Sequence, residues 1–282
     1  MSLLKTALGT LIKNPVIFFP FYCLAFVQLL VLELIFFMPR YPLSIIFGPI
    51  ITKTAGPAFM HYPFNYMILS KWFHSIDLWV YMLVSCIFYA VTVQVIASIN
   101  SDHKIDFKKV FQKAFASYFD LAAVMILAVL TIKGVFMVYG ILVRSLLLIH
   151  PANGFIMFIQ RIFSIGGPFI QLLISSLVST VFAFVIPIII MEQKKVIPAL
   201  ALNFKKFRHL WGIVFIVFLI TEIPYIPFVL FQSARMDQLL AVKVPELSGV
   251  YLVISTLVIL LIDVFQYTAI TLCFLFKKEE RS

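Results

Sequence analysis

Apolar residues run through this chain in six long blocks, and the short segments between them carry most of the charge. A helix that rises about 1.5 Å per residue needs about 20 mostly apolar residues to cross the hydrocarbon core of a bilayer. Residues 15–38, 75–99, 120–149, 165–191, 209–232 and 249–276 meet that length. Each block predicts a membrane-spanning helix. The first is too long for a signal-peptide core and is followed by no Ala-x-Ala-like cleavage site, so it is read as a span like the others.

A second, shorter periodicity precedes the odd-numbered spans. Leu3, Leu4, Ala7, Leu8, Leu11 and Ile12 are spaced as one face of a helix, with Lys5, Thr6 and Lys13 elsewhere on the wheel. Val110, Phe111, Ala114, Phe115, Tyr118 and Phe119 repeat that frame, with Lys108, Lys109, Gln112 and Lys113 on the polar side. Val196, Ile197, Leu200, Ala201 and Phe204 give a third copy before Lys205 breaks it. The pattern predicts an all-α polytopic bundle of six transmembrane helices with three amphipathic interfacial helices, arranged as a degenerate threefold helix-hairpin repeat. Its units are residues 1–99, 100–191 and 192–282 of one integral membrane domain. Each unit reads as surface helix, span out, external loop and span back. The surface helices are also readable as the cytoplasmic ends of tilted spans.

The longest external segment, residues 39–74, is apolar and repeatedly interrupted by Pro39, Pro42, Pro49, Gly56, Pro57 and Pro63. Its aromatic side chains suit a lid or half-helix resting at the outer interface, and equally a partner-docking or cavity-covering segment.

Composition agrees with the pattern. The 282 residues are 63% hydrophobic and 12% charged, with a mean hydropathy of +1.08, against about half and about a quarter in ordinary soluble domains. That balance excludes a soluble enzyme, a disordered chain and a secreted disulfide scaffold. Cys23, Cys86 and Cys273 all lie inside apolar blocks without a Cys-x-x-Cys spacing, which marks them as small buried hydrophobes.

A net charge of +10 in a soluble protein would suggest nucleic acid. Here its distribution has a plainer cause. Fourteen Lys and Arg fall in the N-terminus, residues 100–120, residues 192–209 and the tail, against six in the opposite segments. By the positive-inside rule both termini are cytoplasmic, as an even number of spans requires, and the expected location is the inner membrane. Lys5, Lys13, Lys108, Lys109, Lys113, Lys194, Lys195, Lys205, Lys206 and Arg208 are the expected contacts to anionic lipid headgroups.

Ionisable residues inside a span cost about 2.5–3.5 kcal/mol each at the bilayer centre, so they need partners or water. Lys133, Glu222 and Asp263 each lie about 13 residues from the inner end of their span, a common depth of about 20 Å. They are expected to meet, either as a proton or ion relay, as a polar headgroup site, or as a structural ion-pair cluster that holds the bundle in register. Glu33 and Arg144 fall in the outer half, where an ion pair is expected unless Arg144 snorkels to the headgroups. Pro224 and Pro227 predict a kinked or broken helix around Glu222. Gln28, Gln94, Gln171 and Gln266 are read as interhelical hydrogen-bonding groups.

Catalytic patterns are missing. The chain has no His-Glu-x-x-His, no Gly-x-Ser-x-Gly, no phosphate-cradling glycine loop and no acidic cluster of a magnesium-dependent headgroup transferase. Its five histidines are scattered. No cofactor and no metal site is expected.

The stretch Ile186-Pro187-Ile188-Ile189-Ile190-Met191-Glu192, then Val196-Ile197-Pro198-Ala199-Leu200-Ala201-Leu202-Asn203 and Phe207-Arg208-His209-Leu210-Trp211, resembles the polytopic membrane domain associated with bacterial glycerophosphoryl diester phosphodiesterases and related six-span proteins. Lys13-Asn14-Pro15 in the first segment is similar in style, and together these cover about a quarter of the chain. No long polar region houses a soluble phosphodiesterase domain, so the resemblance implies architecture and lipid context rather than hydrolysis.

The leading expectation is therefore a non-enzymatic, lipid-contacting scaffold or membrane subunit with protein partners in the membrane. The alternative is a secondary transporter or lipid-moving protein that uses the charged cluster at the midplane.

Overall fold

The computed structural model describes residues 2–148, 154–231 and 244–279. Every regular element among them is helical. Six stretches are long and apolar enough to cross a membrane: Pro15–Phe37, Phe64–Asn100, Tyr118–Leu148, Phe169–Glu192, Arg208–Leu230 and Pro245–Lys277.

Five of these match the hydropathy blocks to within a few residues, whereas the second begins at Phe64 rather than at residue 75. Its cause lies in the sequence. Pro63 is the last proline or glycine before Gly134, so nothing in the backbone interrupts a helix that starts directly after it. The continuous helix comprises α4 (Phe64–Val80), one wide π turn (Tyr81–Ser85) and α5 (Cys86–Asn100).

The first span is a 3-10 turn (Pro15–Phe18) leading into α2 (Phe19–Phe37), preceded by α1 (Ser2–Lys13). Between α2 and α4 lies a short helix, α3 (Ser44–Thr54), with Pro49 inside it, followed by a 3-10 turn (Pro57–Met60). The proline-interrupted segment thus contains a short helix folded onto the neighbouring turn. At their contact, a Cβ on Gly48 would stand 3.2 Å from Met60 Cε. Leu32, Ile35, Leu69, Phe73 and Leu252 form a small separate apolar cluster nearby. Tyr62 Oη donates to Glu246 Oε1 at 2.8 Å, tying this segment to the start of the last span.

The third span is α7 (Tyr118–Leu148), preceded by α6 (Phe107–Ala116). Asp106 caps α6, accepting from the Lys109 backbone N–H at 3.3 Å, as an acidic residue at a positive helix end favours. Val110 and Ala114 of α6 are buried while Lys108 and Lys109 are exposed; in α1, Ala7 and Leu11 are buried while Lys5 and Lys13 are exposed.

The fourth span breaks into α8 (Gly154–Phe182) and α9 (Val185–Glu192), and Pro187 stands in the first turn of α9, where an N–H has no intrahelical acceptor. After α10 (Val196–Leu202), the fifth span is α11 (Trp211–Glu222), a 3-10 turn (Ile223–Tyr225) and α12 (Ile226–Phe231). As Pro224 and Pro227 predict, the α-helix stops at Glu222. The last span lies in α13 (Pro245–Glu279).

At the centre stands α5. Tyr89, Ala90, Val91, Val93, Val95 and Ile96 are each wholly buried, and the helix packs against α2, α6, α7, α9 and α13. Gln94 Nε2 donates to Val110 O at 3.2 Å and so fastens α6 to this central helix.

Candidate functional site

Three carboxylates converge on the bundle interior from three different spans. Asp263 lies in the middle of α13 and is buried; its Oδ2 accepts from Tyr89 Oη of α5 at 2.5 Å. The Tyr89 ring stacks on Tyr267, one turn after Asp263, with centroids 4.0 Å apart, and meets Tyr81 edge-on at 6.0 Å. Tyrosine rings therefore wall one side of the carboxylate and a tyrosine hydroxyl orients it.

Glu222 is the last residue of α11, where the proline-driven break leaves it facing α8. Ser176 Oγ donates to its Oε2 at 2.7 Å. One residue earlier, Thr221 Oγ1 accepts from Gln266 Nε2 of α13 at 2.8 Å, so the end of α11 and the centre of α13 are joined beside the acid.

Asp77 lies in α4, four residues before Tyr81 and the π turn. Gln28 Nε2 of α2 donates to its Oδ1 at 2.9 Å. Wide turns of this kind recur at functional sites because they rotate the following side chains against a regular helix. Here the turn separates Asp77 from Tyr89 while keeping both inward.

The three acids share a set of adjoining cavities. A cavity of about 260 Å³ between α7, α8, α11 and α13 is lined by Glu222 and Asp263, with Ser175, Ser179, Gln266, Tyr81, Tyr225 and Tyr267. A second, of about 240 Å³, is lined by Gln28, His74, Asp77, Tyr81, Thr256 and Asp263. A third, of about 210 Å³, lies against Phe73, His74, Asp77, Tyr225, Ser255 and Thr256. Tyr81 and Asp263 border the first two, and Asp77 borders the last two. Among the described residues no lysine or arginine lines any of the three. Such an interior can solvate or bind a positively charged group, and among the described residues His74 is the lining side chain able to carry a positive charge.

No family model, curated protein or solved structure matches this chain.

The expected meeting of Lys133, Glu222 and Asp263 is therefore realised in part. Glu222 and Asp263 border one cavity, while Lys133 is exposed on α7 and is not among the lining residues. The neighbouring Ile132 does line it; successive residues of a helix point about 100° apart, and that rotation carries Lys133 away from the acids. The expected pair Glu33 and Arg144 is not formed either. Both are exposed, on α2 and α7, whereas Lys109 and Asp106 do pair, at 3.6 Å. The physical reason is packing: α2 lies against α4, α5 and α13, while α7 lies against α8 and α5.

Of the headgroup-contact residues, Lys5, Lys13, Lys108, Lys109, Lys194, Lys195, Lys205 and Arg208 are exposed and Lys113 is half-buried. The side chain of Lys206 lies outside the described residues. Among the described residues no group of three or more His, Cys, Asp or Glu is arranged to hold a metal ion.

The hydropathy pattern misses Asp77, because a span beginning at residue 75 leaves it at the membrane edge. With the helix starting at Phe64, it stands about 20 Å along the axis. The proline- and glycine-free run after Pro63 is the signal that points to it.

Proposed function

We propose that this protein is non-enzymatic and takes a solute or lipid moiety into its interior, acting as a secondary transporter or lipid-moving protein. One observation carries the reading: Glu222 and Asp263 border a cavity of about 260 Å³ at the breakpoint of α11. Intramembrane acids are costly and mark ion and substrate pathways, and a broken helix that lines a cavity is the usual way to expose polar backbone at membrane depth.

A scaffold role, the leading expectation from sequence, is favoured by a different observation, the exposed lysines of α1 and α6 set against buried apolar faces. In this reading α1, α6 and α10 lie on anionic headgroups of the inner (cytoplasmic) membrane, with both termini on the cytoplasmic side. The three surface-helix and hairpin units then repeat around the bundle. Lipid contact through these helices is compatible with transport.

The two roles separate on water access. Ser179 borders the larger cavity. In a background with Cys23, Cys86 and Cys273 replaced, a Ser179→Cys variant reconstituted in vesicles is expected to react with a membrane-impermeant thiol reagent, at a rate altered by Glu222→Gln. A thiol that stays unmodified from both sides means a dry interior and returns the scaffold reading.

A further inference from the structure

Gln28 is 5% exposed, and its Oε1 has no hydrogen-bond partner. A buried amide oxygen without a donor is costly, and nearly all such groups in folded proteins are satisfied. Its orientation is set by chemistry: Nε2 faces the carboxylate of Asp77, and reversing the amide would put oxygen against oxygen. The unpaired acceptor belongs to a side chain that borders the 240 Å³ cavity together with Asp77 and Asp263.

Each of these two acids is held by one neutral donor, Gln28 for Asp77 and Tyr89 for Asp263. An ionised carboxylate has room for about four hydrogen bonds, so both retain acceptor capacity. His74 also borders the space, and no lysine or arginine does among the described residues. The wall thus offers three oxygen-bearing acceptor groups and lacks a fixed ammonium or guanidinium to meet them.

We propose that this cavity is a binding site for the ammonium group of an organic amine. A primary ammonium carries three N–H donors, which Gln28 Oε1, Asp77 and Asp263 receive. Tyr81 borders this space and the adjoining 260 Å³ cavity, where its ring and that of Tyr267 suit a cation nearby. That second cavity is walled by Val129, Ile132, Leu172 and Phe218, which fit a hydrocarbon body. An alkali ion would leave so large and apolar a space unused. The proposal rests on the transport reading for its purpose and names the substrate class.

Calorimetric titration of the full chain in detergent tests occupancy directly. Hexylamine is expected to bind, with hexan-1-ol, hexanoate and sodium ion at least about tenfold weaker, the difference that loss of one charge-assisted hydrogen bond makes. Gln28→Met is expected to weaken hexylamine roughly 5- to 10-fold, and Asp77→Asn by about 10-fold or more. Gln28→Glu, which restores an oxygen, is expected to bind at least as tightly as the parent chain. Competition by dihexanoyl phosphatidylethanolamine assigns the amine to a lipid headgroup, and absence of competition assigns it to a free amine; either supports the site. The proposal is overturned if hexan-1-ol binds as well as hexylamine, if sodium ion displaces hexylamine at equal concentration, or if folded Gln28→Met and Asp77→Asn both bind hexylamine unchanged. Calorimetry reads the amine whether or not anything is transported, and thiol labelling at position 179 reads water whether or not an amine binds, so the two readings fail separately.

Discussion

Tyr89 Oη donates to Asp263 Oδ2 at 2.5 Å, joining the central helix α5 to α13 across 174 residues of sequence. Both residues are buried, so this bond fixes the rotation of α13 against the core as well as orienting an acid. Tyr89→Phe preserves the ring stacked on Tyr267 and removes only the donor. An unsatisfied buried carboxylate costs about 1–3 kcal/mol, and thermal unfolding in detergent should report that loss. An unchanged melting temperature would show that water supplies the missing donor.

Glu222 and Ser176 give a contrast between charge and hydrogen bonding. Glu222→Gln keeps a carbonyl oxygen for the Ser176 hydroxyl and removes a charge at membrane depth, so stability is expected to hold or rise. Ser176→Ala leaves the acid without its serine, at a cost of about 1–3 kcal/mol. If Glu222→Gln unfolds the protein more readily than Ser176→Ala, the acid serves the packing and not the cavity.

Lys133 should be dispensable. Exposed on α7 and absent from the cavity walls, it is expected to change stability by no more than about 0.5 kcal/mol in the destabilising direction when replaced by leucine. Combined with Glu222→Gln, the two effects should add to within about 0.5 kcal/mol. A larger coupling energy in that double-mutant cycle would restore the three-residue cluster.

Orientation has its own check. Lys109 is exposed on α6, and in right-side-out vesicles an engineered Lys109→Cys thiol is expected to react only after the membrane is permeabilised. Reaction in sealed vesicles reverses the assigned topology.

The depth of the acids along their helices is legible in the amino-acid pattern. Glu222 lies as far from the start of its apolar block as Asp263 does from the end of its own, and the two do border the same cavity. Pro224 and Pro227 likewise mark the end of α11 at Glu222. Which way each side chain points is not legible, since a register error of one residue rotates it by about 100°. That is why the pattern groups Lys133 with the acids; Asp77 is left out for a different reason, because the hydropathy block starts at residue 75 while the helix starts at Phe64. The role of Gln28 is half visible: its glutamine type predicts an interhelical bond, as it makes to Asp77, but not the unpaired oxygen left over.

By itself, then, the sequence determined the solvent of this protein, its helical content and its six candidate crossings. Hydrocarbon imposes one rule on every span, a run of about 20 apolar residues with its backbone bonds satisfied internally, and a linear string can state it. Only tertiary structure decided the partners: Tyr89 with Asp263, Gln28 with Asp77, Ser176 with Glu222. Those depend on how each helix is rotated and tilted against its neighbours, which is set by the packing of many side chains at once and leaves no periodic trace in any single segment.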